Sequence, residues 1–191
     1  MSLPSPPPIE SERLIVRLVT RDDLPGLLVV NGDPEVTQFL PYETWRSLAD
    51  GEAWLGRIDA LQAGGGAHQF VIVRKDTQAV VGGCLLFRFE AGSARAELGY
   101  VLGRAHWGQG LMHEALGALL AAAFGPLGLR RLEAEIDPRN TASLRLIERL
   151  GFTREGLLRQ RWVAKGAARD VVIHGLLAHE WPAAAARTPA G

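Results

Sequence analysis

Residues 106–112 read HWGQGLM and stand between a strand-like stretch, residues 97–102, and a long helical pattern. Two glycines one residue apart at a strand-to-helix junction constrain the chain tightly. Such a turn leaves backbone N–H groups bare and aims the positive end of a helix dipole at whatever lies in front of it. Gly108 and Gly110 carry no side chain to hold a ligand off, so an anion can approach the backbone closely. Taken alone, the same pair also marks ordinary helix-entry turns. The segment DPRNTASLRLIERLGF, residues 137–152, supplies the second half of a more specific signal.

Any anion bound here must be held by a local arrangement. The 191 residues carry 21 basic and 21 acidic side chains, so no global field steers the chain to nucleic acid or to an anionic membrane. The length suits one domain with a sizeable core. A single cysteine, Cys84, excludes an internal disulfide, offers no metal cluster, fits a reducing compartment and reads as a small buried hydrophobe on a strand. The opening MSLPSPPPIE lacks the basic start and apolar core of a signal peptide, and its prolines favour an extended tail. The most apolar run, residues 115–124, is far shorter than the roughly 20 residues needed to span a bilayer. A cytoplasmic, unanchored protein is the expectation.

Periodicity predicts one mixed α/β domain. Strands are expected at residues 13–19, 69–74, 79–89, 96–102, 131–136, 152–163 and 168–177. Helices are expected from the acidic start at Arg21-Asp22-Asp23 toward Gly32, briefly over 34–40, over 44–62, after the glycine turn up to Gly125-Pro126, and over 141–150 before Gly151. Gly99 marks a kink or bulge in its strand. Residues 1–10 are taken as a flexible proline-rich tail, 11–182 as the domain and 183–191 as a flexible C-terminal tail.

The order strand, Gly-x-Gly turn, helix, strand, Asn-x-x-Ser helix, Gly-Phe resembles the GCN5-related N-acetyltransferase (GNAT) superfamily. SERLIVR (11–17), WGQGLMHEAL (107–116) and EGLLRQRWVAKGAARDVVIHGLL (155–177) are similar to its ribosomal-protein acetyltransferase-like subgroup. The resemblance implies a mixed sheet of about seven strands, splayed after the fourth and flanked by helices. It implies acetyl-CoA as co-substrate, without a metal. Tyr100, Val101 and Leu102 would meet the pantetheine arm, and the turn Trp107, Gly108, Gln109, Gly110, Leu111 and Met112 would wrap the pyrophosphate through its amides, with no cationic side chain. Asn140 would lie against the arm and Ser143 near the thiol, although Asn at a helix start is also an ordinary cap. The family's loop begins with Gln or Arg where this chain has Ala105. Arg104, His106, Arg139 and Arg145 read first as solvated side chains and only second as phosphate contacts.

Acetyl transfer needs a group to take a proton from the amine and one to protonate the leaving thiolate. The resemblance assigns the first role to Glu97, which otherwise reads as a cleft glutamate paired with an arginine such as Arg95. Many relatives carry a tyrosine where this chain has Ile147, which brings Ser143 forward as the acid, with Tyr100 a poorer candidate if its strand turns it into the core. His68, His113, His174 and His179 have no metal spacing among themselves or with Cys84. Trp45 and Trp54, with Phe39 and Tyr42, are expected to wall the acceptor pocket; Trp162 and Trp181 read as core or cleft lining. Asp33, Glu35, Glu43, Asp50 and Glu52 could make that pocket acidic or simply form a solvated face. The expected activity is N-acetylation of a primary amine by direct attack; acceptors in the subgroup that the chain resembles include protein N-termini, polyamines, aminoglycosides and amino-acid-like metabolites. The alternative is a non-catalytic acyl-CoA-binding sensor. Pairing of late strands in several relatives leaves a homodimer open.

Overall fold

A computed structural model of the chain describes residues 5–181. Its strands are β1 (Ile9–Glu10), β2 (Leu14–Leu18), β3 (Ala67–Arg74), β4 (Val80–Glu90), β5 (Arg95–Leu102), β6 (Arg131–Ile136), β7 (Thr153–Ala164) and β8 (Ala167–Leu177). The helices are α1 (Leu24–Asn31), α2 (Pro34–Thr37), α3 (Leu48–Ala63), α4 (Leu111–Phe124) and α5 (Thr141–Arg149). One sheet holds all the strands in the order β1-β2-β3-β4-β5-β6-β8-β7, with β5 and β6 parallel and the other neighbours antiparallel.

Side-chain periodicity decides what covers each face. In β6 (RLEAEI), Leu132, Ala134 and Ile136 enter the core, while Arg131, Glu133 and Glu135 point to the opposite face. That core joins β6 to Leu111, Leu116, Leu119, Leu120 and Ala123 of α4 and to Leu146 and Ile147 of α5. A second cluster on the other face packs Leu24 and Leu27 of α1 and Trp54, Leu55 and Ile58 of α3 against Val71 and Val73 of β3. β3 is therefore apolar along most of its length, covered on both sides.

Two boundaries and one bulge differ from the sequence reading. Ile9 and Glu10, placed there in the tail, pair with Val16 and Ile15, which brings the sheet to eight strands. The proposed 183–191 tail lies outside the described residues. The long helix starts at Leu48 because Asp50 accepts from the backbone N–H of Arg46 and Ser47, fixing the first turn there. Gly99 pairs regularly with Leu85; the bulge falls on β4, where Arg88 and Phe89 stand opposite Ala96 alone.

The entry to α1 rests on buried Asp23. Arg17 grips it with both terminal nitrogens, at 2.8 and 2.6 Å, and Thr20 donates its N–H and its hydroxyl. Burial works to raise the Asp23 pKa, but these donors outweigh it and hold the carboxyl below its usual range. Asp23→Asn is expected to cost about 2–4 kcal/mol in urea unfolding, less than for a fully buried pair because the Arg17 side chain is 33% exposed. Among the described residues, no helix is long and apolar enough to cross a membrane.

Candidate active site

The sheet opens in its middle. β5 and β6 share Arg95↔Arg131, Ala96↔Leu132 and Glu97↔Glu133, and there the pairing ends. Beyond Glu97, β5 stays with β4 as far as Leu102, while β6 continues with β8 to Ile136. The edge of β5 from Leu98 onward thus has no strand beside it, the condition under which an extended ligand can bond a strand's backbone. α5 closes the far side of the gap. The Tyr100 hydroxyl and Ser143 Oγ share a hydrogen bond, and Asn140 Oδ1 accepts from the Ser143 N–H at 3.2 Å, capping the helix. Asn140 thus fills the cap role, and its Nδ2 has no partner among the described residues. Burial pushes the Tyr100 pKa up, with the bond to Ser143 acting against it. At neutral pH this phenol therefore keeps its proton and can donate it. The sequence reading had ranked Tyr100 low as a residue turned into the core; its ring does pack there, but its hydroxyl reaches the gap.

The glycine turn follows directly. Gly108 and Gly110 have φ of +72° and +74°, and a Cβ at Gly108 would meet nothing within 4 Å. Backbone conformation, not lack of room, requires glycine there. Trp107 Nε1 donates to the Leu102 carbonyl at 2.8 Å, tying the turn back to β5, and Gln109 Nε2 folds onto the Ala105 carbonyl. Leu111 and Met112 are buried in the core, so only their backbone faces outward from this anchor. A cation stands beside the turn. Arg13 donates to the Gln109 carbonyl at 3.1 Å and pairs with Glu114 of α4, which also accepts from Ser11. Sequence could not reveal this clamp, because Arg13 and Glu114 lie 101 residues apart. Arg104 is engaged by Asp33 and Glu35, and Arg139 by Asp137, while Arg145 is exposed with no ion pair among the described residues.

Glu97 projects to the other face of the sheet, as its parity with Tyr100 requires. It is 5% exposed, and Arg88 Nη1 donates to its Oε1 at 2.8 Å. The partner proposed from sequence, Arg95, instead holds Glu90 and Glu133. Arg88 reaches Glu97 from the β4 bulge, in the left-handed region at φ +51°, and its guanidinium lies 4.6 Å from the centre of the Trp162 ring. Trp162 arrives by a second irregularity. Residues 159–161 of β7 stand opposite Asp170 alone, and the Trp162 indole N–H bonds Glu135, which also pairs with Arg161. The β7–β8 turn reaches α2, where Lys165 Nζ donates to the Thr37 carbonyl at 2.7 Å.

A family model described as an acetyltransferase (GNAT) domain matches residues 13–153, which take in both sides of the opening, the glycine turn and α5. The chain belongs to the GNAT acetyltransferase family. An uncharacterized N-acetyltransferase of Bacillus licheniformis, p20, is 37% identical over 171 residues, 90% of this chain and 96% of that protein. The ribosomal protein uS5-alanine N-acetyltransferase of Escherichia coli is 30% identical over 182 residues, 91% of this chain and 92% of that one. A GCN5-related N-acetyltransferase from Brucella melitensis has the same fold, with a TM-score of 0.82 at 27% identity over 95% of this chain and 84% of the other. Acetyl-CoA is the acetyl donor that GNAT enzymes use.

Several residues singled out from sequence serve the GNAT framework instead of the cleft. Trp45 and Trp54 pack on each other in the second core at 6% and 9% exposure, and Trp45 also lines a shallow cavity with Asp33, Glu35 and Arg104. Tyr42 packs against the same core and donates to Asn31, whereas Phe39 is half-buried beneath the Arg139 guanidinium. Ile147 is fully buried, so a side chain at that position faces core, not thiol. Four of the five carboxylates considered for an acidic pocket are engaged. Arg104 holds Asp33 and Glu35, Asp50 caps α3, Arg21 holds Glu52, and Glu43 is exposed. Burial raises the Cys84 thiol pKa, so the thiol stays protonated.

His174 is fully buried. Burial lowers its pKa, and burial followed by the Arg149 charge lowers that of His113. The unfolded chain then binds protons before the folded one does. Stability is expected to be flat above about pH 6.5 and to fall as pH drops below it, by up to about 1.4 kcal/mol per pH unit for each histidine. His174→Leu should flatten that slope in urea titrations at pH 5 to 7.

Proposed function

We propose that this chain transfers the acetyl group of acetyl-CoA to a primary amine in a ternary complex, with the donor in the β5–α5 gap. The opening of the sheet beyond Glu97↔Glu133, directly ahead of the glycine turn, carries this reading. The pantetheine arm fits the free backbone edge of Tyr100, Val101 and Leu102, with Asn140 Nδ2 offered from the opposite wall. The pyrophosphate fits the amides of residues 107–112, helped by the positive end of α4 and by Arg13. On the other face Glu97 takes the proton as the amine nitrogen bonds to the thioester carbon. The carbon–sulfur bond breaks, and the thiolate receives a proton from the Tyr100–Ser143 pair. A phenol is a far stronger acid than an aliphatic hydroxyl, so Tyr100 is the proton donor of that pair and Ser143 the residue that orients it.

A primary α-amine of a protein N-terminus or a small molecule is the acceptor class; the similarity to a ribosomal-protein alanine acetyltransferase supports the first. Absence of metal, nucleic acid and membrane from the reaction belongs to this proposal, as does action inside the cell. The test is release of CoA thiol from acetyl-CoA against a panel of amines. Thiol that appears only with an acceptor, together with an acetylated product, supports enzymatic transfer. Tight acetyl-CoA binding without acceptor-dependent thiol from any amine would establish the sensor alternative.

A further inference from the structure

Beside Glu97 the cleft holds a guanidinium that neither the donor site nor proton transfer uses. Arg88 sits in a left-handed backbone conformation that a residue with a side chain adopts at a cost, and this geometry turns it onto the Glu97 face. Its guanidinium lies against Trp162 and 5.5 Å from the Phe87 ring centre, which limits where the planar group can go. One nitrogen, Nη1, bonds one oxygen of Glu97; Nε and Nη2 have no partner among the described residues, and the side chain is 40% exposed. The neighbouring carboxylates on this face are already matched: Glu133 with Arg95 and Arg131, and Glu135 with Arg161. A second ammonium, as on a polyamine, would find no free carboxylate there. A second negative group would find the open side of Arg88.

We propose that Arg88 is a specificity residue that binds the carboxylate of an α-amino-acid acceptor while Glu97 receives its amine. A carboxylate and a guanidinium side by side, 2.8 Å apart, are the charge complement of an ammonium and a carboxylate separated by one carbon. The inference rests on the transfer reaction proposed above and, among its acceptors, takes a free α-amino acid in place of a protein N-terminus, whose α-carboxyl is tied up in a peptide bond. Trp162, held by Glu135, is the wall that keeps the fork in place.

The test compares free α-amino acids with their amides, which keep the amine and side chain but lose the negative charge, and with a diamine. In the wild-type protein kcat/KM should favour each acid over its amide by roughly 10- to 100-fold, the loss associated with removing one partner of a charged hydrogen bond. Arg88→Gly accepts the left-handed backbone without strain, and thermal unfolding measures what the loss of the Glu97 partner costs the fold. The variant should bring the acid-to-amide ratio to about one, chiefly through a higher KM for the acid, and Arg88→Lys should restore part of the preference. Wild-type preference for amides or diamines, or an equal loss on acid and amide in Arg88→Gly, would overturn the assignment while leaving acetyl transfer intact. Absence of thiol release with every amine would overturn the transfer reaction itself, and this inference with it.

Discussion

Glu97→Gln is expected to lower kcat/KM for acetyl transfer by about 100- to 10,000-fold, the range for removing a positioned general base. Glutamine keeps an oxygen for the Arg88 Nη1 donor and nearly the same volume in a site that is almost fully enclosed. The fold and acetyl-CoA affinity should therefore survive while turnover does not. Arg88 loses its counter-charge but is partly solvated, which limits the stability cost. The checks are steady-state kinetics on a responsive acceptor, alongside thermal unfolding and calorimetric titration of acetyl-CoA. Unchanged turnover would remove Glu97 from the chemistry and leave it as a partner of Arg88 alone.

Tyr100→Phe is expected to produce the second large loss, about 100-fold in kcat. Burial keeps the phenol protonated, and its contact with Ser143 aims it across the opening. Phenylalanine preserves the packing of the ring on the core and removes only the hydroxyl. Ser143→Ala should cost less, because the tyrosine keeps its proton when it loses the group that orients it. The double variant should be little worse than Tyr100→Phe, since residues in contact are not additive. A fall in acetyl-CoA affinity matching the fall in kcat would instead make the pair a binding contact for the donor.

Much of this arrangement was legible in the order of residues. RLEAEI announced β6 and its inward face through strict alternation, and Gly108 and Gly110 announced a turn that does require positive φ. The Asn140 cap and the Gly151 stop bounded α5 closely. What escaped was geometry without a local marker. The bulge that brings Arg88 to Glu97 falls on an arginine in left-handed conformation, not on nearby Gly99, where sequence logic put it. The three residues of β7 opposite Asp170, which bring Trp162 over Arg88, look like any strand. β1 is two residues long and exists only through its pairing with β2. Trp45 and Trp54 read as pocket walls because large aromatics suit both core and cleft, and nothing local in the sequence shows that they pack on each other. Arg13 was legible as a strand opener and invisible as a clamp on the turn, since its partners come from the far side of the chain.

The central claim, that the β5–α5 gap and the glycine turn form one acetyl-CoA seat, is most directly tested by amide hydrogen exchange with and without saturating CoA. Slowed exchange is expected at residues 98–102, 107–112 and 140–144, with β2 and β3 unchanged. Protection confined to other parts of the chain, or none at concentrations that saturate binding, would contradict it.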